Sequence, residues 1–142
     1  MAVILVSLCL LGIPCRYKGD SRSCERVLAL KEKHTLIPVC PEQLGGLPTP
    51  RNPSERQGER WISCTGEDVT EPFRKGAEAS LALAELFHCD FAILKAYSPS
   101  CGKGMINDGT FTGTRGPGSG AAAELLLKHG IPVYTDEEDW PV

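Results

Sequence analysis

Three of the seven cysteines stand at matching places in the chain. Cys9 follows an apolar run at residues 3–8, Cys40 follows TLIPV, and Cys101 comes shortly after FAIL. A thiolate is a soft metal ligand and a nucleophile, so thiols repeated at the ends of apolar runs point to metal binding or sulfur chemistry. Cys15 lies close enough to Cys9 to join them. A single cysteine is ordinarily a small core residue, and that reading serves for Cys24, Cys64 and Cys89. Applied to Cys9, Cys40 and Cys101 it must explain three coincidences together, so a metal site is preferred. No C-x-x-C pair exists, which disfavours a zinc knuckle and a thioredoxin-type dithiol. Iron–sulfur clusters take thiolates, usually four, and three would leave one iron open to a further ligand. Glu42 follows Cys40 and Pro41 directly. A lone loop glutamate is normally solvated, but beside a cluster-binding cysteine it becomes a candidate acid–base. His34, His88 and His129 are scattered and read as surface or helix-end residues. The GKG at 102–104 lacks the rest of a phosphate loop and reads as a flexible turn.

The elements that must position these groups alternate in type. Residues 3–8 read as a first strand, 22–33 as a helix capped by Ser21 or Ser23, and 35–39 as a second strand with Pro38 near its end. Residues 61–64 read as a short strand. The clearest helix runs from an N-cap at Thr70 to about His88, with Phe73, Ala77, Leu81, Leu83, Ala84 and Phe87 toward the core. Residues 91–94 read as a third strand, 121–129 as a helix stopped by Gly130, and 131–134 as a last strand. Two stretches, 41–60 and 98–120, carry neither period and read as long functional loops. The acidic tail DEEDWPV reads as solvated. The expectation is an α/β fold: one Rossmann-like domain over residues 1–142, with a mainly parallel sheet flanked by helices. In such sheets the carboxyl ends of the strands share one edge, where ligands bind. Cys9, Cys40 and Cys101 would meet there.

The first 14 residues are almost wholly apolar, yet nothing is charged before Arg16 and Leu8 sits where a lipoprotein box needs a small residue. A secretory signal wants a positive n-region, and the run is too short to span a bilayer. Its β-branched centre fits a buried parallel strand instead. The chain is therefore expected in the cytoplasm, with thiols or metal ligands rather than disulfides. The net charge of −3 gives no general attraction to nucleic acid or anionic membranes, so neither is expected as a partner.

Five ordered segments, SLCLLGIPCRYKG, PVCPEQLGGLPTPR, GEDVTEPFRKGAE, ILKAYSPSCG and DGTFTG, resemble the thiouracil desulfidase family, a bacterial family formerly known only as a domain of unknown function. The likeness runs from about residue 3 to residue 134. It implies a 4Fe-4S cluster held by three cysteines with one iron open. By position the ligands are Cys9, Cys40 and Cys101, with Cys15 either a substitute ligand or a spare thiol. The implied activity removes the sulfur of 2-thiouracil, giving uracil and sulfide by hydrolysis without net redox change. The family's acidic catalytic residue maps to Glu42 and its serine to Ser98, with Ser100 the other choice. The implied partners are a small thiolated base and the cluster-assembly machinery. Two departures stand out: Leu8 replaces a small residue and is expected to point away from the crevice, and Lys18 replaces an acidic one. Two other function classes remain: a sulfide or sulfur carrier, and a non-catalytic metal-binding or redox-sensing protein.

Overall fold

The computed structural model describes all residues from Met1 to Val142. Strand β1 (Val3–Ser7) ends in a 3-10 turn, Leu8–Leu11. The next elements are α1 (Glu25–Ala29), β2 (Thr35–Val39) and α2 (Pro41–Leu44). A hairpin follows, β3 (Ser54–Gln57) and β4 (Arg60–Ser63), and then the long helix α3 (Thr70–Leu86). Strand β5 (Phe91–Leu94) leads to a second hairpin, β6 (Met105–Asn107) and β7 (Arg115–Pro117). Helix α4 (Ala121–Lys128) and β8 (Val133–Thr135) complete the fold.

The main sheet has four parallel strands in the order β2-β1-β5-β8. Residues alternate between its two faces. Leu5, Ala92 and Leu94 pack with Leu81 and Ala84 of α3 and Ala123 and Leu126 of α4. Ile4, Val6, Phe91 and Ile93 pack on the other face with Leu10 and Val27. Both faces are covered, so β1 and β5 read as unbroken apolar runs. Pro38 is tolerated because β2 is an edge strand. The chain leaves β1 toward β2 on one side and reaches β5 on the other. The β1/β5 boundary is thus the topological switch point, where α/β folds open a crevice.

Several expected elements are corrected. The helix over 22–33 shrinks to α1 and a 3-10 turn at Leu30–Glu32, and neither Ser21 nor Ser23 caps it; Cys24 stands at the cap with no side-chain bond. Residues 41–60 hold α2 and β3, and residues 98–120 hold the β6–β7 hairpin, so neither is a plain loop. Thr70 is the first helical residue rather than the N-cap, and its hydroxyl accepts from Trp61 N–H at 2.9 Å. Phe87 lies beyond the end of α3 and is exposed. Gly130 does take the left-handed conformation (φ 78°).

Helices α2 and α3 touch backbone to backbone. A Cβ on Gly76 would collide with the Pro41 carbonyl, and one on Gly45 with the Pro72 carbonyl. This contact fixes α2, which carries Glu42, against the longest helix. In an exposed helix interior, Gly→Ala stabilises by about 1 kcal/mol. At Gly76 the sign reverses: Gly76→Ala costs about 1–3 kcal/mol through overpacking, read as a lower urea midpoint at unchanged slope.

Candidate functional site

One crevice of 460 Å³ opens at the carboxyl ends of the strands, and Cys9, Cys15, Cys40 and Cys101 all line it. Cys9 sits in the turn after β1, Cys40 directly after β2, and Cys101 in the loop after β5. Cys9, Cys15 and Cys101 are buried and Cys40 is partly so. Ser7, the last residue of β1, accepts the Lys95 N–H at 2.9 Å and hydrogen-bonds the Cys101 thiol. That contact ties the tips of β1 and β5 together.

Glu42 occupies the first turn of α2, beside Cys40. Its Oε1 accepts from Arg51 Nε at 3.0 Å and its Oε2 accepts from Ser100 Oγ at 2.8 Å. The pair is buried: the side chains are 6% exposed for Arg51 and 15% for Glu42. Arg51 also donates to the carbonyls of Cys15 and Pro48 and to Thr49 Oγ1, all at 3.0–3.1 Å. Ser98 Oγ lies 3.0 Å from Ser100 Oγ and accepts the N–H groups of Ser100 and Cys101. Arg51, Glu42, Ser100 and Ser98 therefore form one hydrogen-bonded row.

The segment bearing these serines is held from three sides. The first N–H groups of α4, at Ala121 and Ala122, donate to the carbonyls of Pro99 and Ser100. Trp61 Nε1 donates to the Pro99 carbonyl at 2.8 Å. Gly120 abuts the Ser100 backbone so closely that a Cβ would overlap it. The tail holds the start of the segment, against the expectation that it is merely solvated. Asp136 accepts the Ala96 N–H at 2.8 Å, and Glu137 accepts the Tyr97 hydroxyl at 2.6 Å. Tyr97, held at φ 68°, makes the bend from β5 into the serine segment.

The thiols are kept protonated in this environment. Burial pushes Cys101 up to about 12, although hydrogen bonds from Ser7 and Ser100 pull the other way. Cys40 is raised further, by its hydrogen bond to Cys15 and by burial. The bond between Cys15 and Cys40 favours the Cys15 thiolate, but its bond with Cys9 and its burial leave Cys15 pushed up to about 11. A bound metal centre would supply the positive charge that these thiols need to ionise. No three His, Cys, Asp or Glu side chains converge on a point where one ion would sit. Cys9, Cys40 and Cys101 bring three soft sulfur donors to one crevice, the donor type that iron–sulfur clusters take. The residues present fit an iron–sulfur cluster.

All the expected site residues line this crevice: Cys9, Cys15, Cys40, Cys101, Glu42, Ser98 and Ser100. Cys24 and Cys89 pack against the core, whereas Cys64 is exposed just past the end of β4 rather than buried. Leu8 lines the crevice wall, contrary to expectation, because β1 ends at Ser7 and the 3-10 turn swings residue 8 round. Arg51 and Ser7 escaped the reading of single residues. The only signal for Arg51 was its place at the end of PVCPEQLGGLPTPR, and Ser7 opens SLCLLGIPCRYKG in the same way.

A parallel α/β sheet with a thiol-lined crevice at its switch point, and a carboxylate and two serines beside the thiols, defines a site built for sulfur chemistry. The chain belongs to the 2-thiouracil desulfurase family, whose model matches residues 4–138. It is 41% identical over 146 residues to the uncharacterized protein YbbK of Bacillus subtilis (strain 168), covering 96% of this chain and 97% of that one. The 4Fe-4S-dependent thiouracil desulfidase TudS shares its fold with a TM-score of 0.90 and 45% identity, over 95% of this chain and 91% of that chain. No helix is long and apolar enough to cross a membrane.

The raised thiols make the metal-free protein sensitive to base. The folded chain keeps protons that the unfolded chain releases above the ordinary thiol value of 9.0, so raising the pH favours unfolding. The urea midpoint of metal-free protein should fall between pH 9 and the folded values near 11 and 12. The fall should be shallower in Cys101→Ala.

Proposed function

We propose that the chain is a desulfidase that holds a 4Fe-4S cluster through Cys9, Cys40 and Cys101. Its substrate is a thiolated pyrimidine such as 2-thiouracil, converted to uracil and sulfide. The observation that carries this reading is the hydrogen-bonded row from Arg51 through Glu42 and Ser100 to Ser98, set in the same crevice as the three strand-tip thiols. Family membership and the likeness to TudS support it. When bound, the cluster would supply a soft Lewis-acidic iron for the thiocarbonyl sulfur.

The chain's own residues handle water and protons. Glu42 is the base that takes a proton from the water attacking the thiocarbonyl carbon, and it returns that proton to the departing sulfur. Water contributes its oxygen to uracil and its two protons to hydrogen sulfide, so the reaction is a hydrolysis with no change of oxidation state. Arg51 holds the carboxylate in one orientation and offsets its charge. Ser98, with both acceptor sites filled by backbone N–H groups, turns its one proton from Ser100 to substrate or water when these bind, while Ser100 stays bonded to Glu42. Cys15 is then a spare thiol beside Cys9 and Cys40. Residues 1–142 act as one domain. All seven cysteines are free, which suits a reducing cytoplasm and loading by a cluster-assembly system.

Glu42→Gln keeps the shape and removes the base. In anaerobically prepared protein it should lower sulfide release from 2-thiouracil at least ~100-fold, with iron and acid-labile sulfide per chain unchanged. Full turnover in that variant would sink the proposed role. A sulfur carrier would instead release sulfide only stoichiometrically.

A further inference from the structure

We propose that Phe111 stacks on the ring of the bound base and so makes the crevice selective for flat heteroaromatic thiocarbonyls. This rests on the desulfidase reading above. The DGTFTG segment, residues 108–113, is a motif at the crevice that the chemistry leaves unused. It forms the turn between β6 and β7 and brings Asn107, Phe111, Gly113 and Arg115 to the crevice wall.

The turn is built to hold its aromatic residue. Glu55, on β3 and 8% exposed, accepts the N–H groups of Gly109 at 2.9 Å and Phe111 at 3.2 Å with the same oxygen. Gln57 donates to the Gly109 carbonyl at 2.8 Å. Asp108 Oδ1 accepts from the backbone and hydroxyl of Thr110, and the hydroxyls of Thr110, Thr112 and Thr114 follow one another at 2.6 and 2.9 Å. Phe111 itself stands at φ 57°, a left-handed conformation that a bulky residue adopts only when its surroundings hold it there.

Phe111 joins no apolar core within the chain. It is 37% exposed, belongs to none of the three apolar clusters, and pairs with no ring or cation. The other crevice aromatics are engaged. The Tyr97 ring lies under the Arg115 guanidinium at 3.4 Å and its hydroxyl is bound to Glu137, and Tyr17 carries Arg16 and Lys18 against its ring. Phe111 is thus the free aromatic face at the crevice, while the reacting groups lie buried on its floor. A pyrimidine with its sulfur among the thiols needs a surface for its ring, and base–aromatic stacking supplies one.

The test compares Phe111→Leu, which stays apolar but loses the ring, with Phe111→Tyr, which keeps it. Both are made in the cluster-loaded protein and checked for unchanged iron content and melting temperature. Two substrates are used, 2-thiouracil and thiourea, a thiocarbonyl without an aromatic ring. Affinity for uracil, which has no sulfur to remove, is titrated separately. In Phe111→Leu the preference for 2-thiouracil over thiourea in kcat/KM should fall about tenfold, mainly through KM, with uracil binding weakened about as much. Phe111→Tyr should retain both. If wild type desulfurises 2-thiouracil and Phe111→Leu keeps its selectivity and uracil affinity, stacking is overturned and the desulfidase reading stands. If wild type releases no sulfide, that reading falls, and the uracil titration alone decides the stacking.

Discussion

The Glu42 carboxylate, shared between Arg51 and Ser100, is the contact on which the crevice depends. A buried charge is costly unless it is paired and fully hydrogen-bonded, and here both requirements are met by residues from distant segments. Arg51 spends four donor bonds on Glu42, Cys15, Pro48 and Thr49. Its guanidinium thereby joins the loop after β1, the segment after α2 and, through Glu42, the serine segment after β5. Lysine has no comparable planar fork and could not replace these bonds together. Removing either charge would leave the other buried without its partner. The thiols of Cys15, Cys40 and Cys101 are arranged around this junction, so their mutual placement follows from it.

Close backbone approaches keep the junction where the sheet needs it. Gly45 and Gly76 let α2 rest directly on α3, and Gly120 lets α4 rest on the Ser100 backbone. Helix α4 gives its N-terminal N–H groups to the serine segment. The tail gives that segment Asp136 and Glu137. Most of these supports act on the backbone of the segments that carry Glu42 and the serines. A site on loops can therefore be as firmly placed as one on the sheet.

The sheet was readable from the sequence because its inner strands are buried on both faces, which leaves VILV and FAIL unbroken. Helix α3 was readable through its period, with Phe73, Ala77, Leu81 and Ala84 buried in turn. Of the two hairpins only β4 was legible, as the short strand read at residues 61–64. Their sheets have only two strands each, and sequences such as SERQ and RGP carry neither alternation nor β-branched residues. Four-residue α2 was hidden because one helical turn has no period to repeat. At the site, the thiols and Glu42 were legible because strand tips converge in any parallel α/β sheet. Arg51 was not, since one arginine among prolines has no local signature and its role comes entirely from tertiary contacts. The tail misled for a related reason: a run of acids looks solvated until the backbone N–H of Ala96 and the Tyr97 hydroxyl are seen to need acceptors.

The two serines are distinguished by counting their bonds. A hydroxyl has one proton to donate and two lone pairs to accept with. Both lone pairs of Ser98 are taken by the N–H groups of Ser100 and Cys101, so its proton is all it can offer. Ser100 donates its own proton to Glu42 at 2.8 Å and can accept from Ser98 at 3.0 Å. Donation along the row therefore runs one way, from Ser98 through Ser100 to the carboxylate. Ser100 is 3% exposed and wedged against Gly120, which suits a relay more than a substrate contact. Ser98 is the less buried end of the row, and giving its single proton to a bound molecule would break its bond to Ser100. The two serines, left as alternatives by the sequence, thus differ in their hydrogen bonding because of the backbone N–H groups of residues 100 and 101.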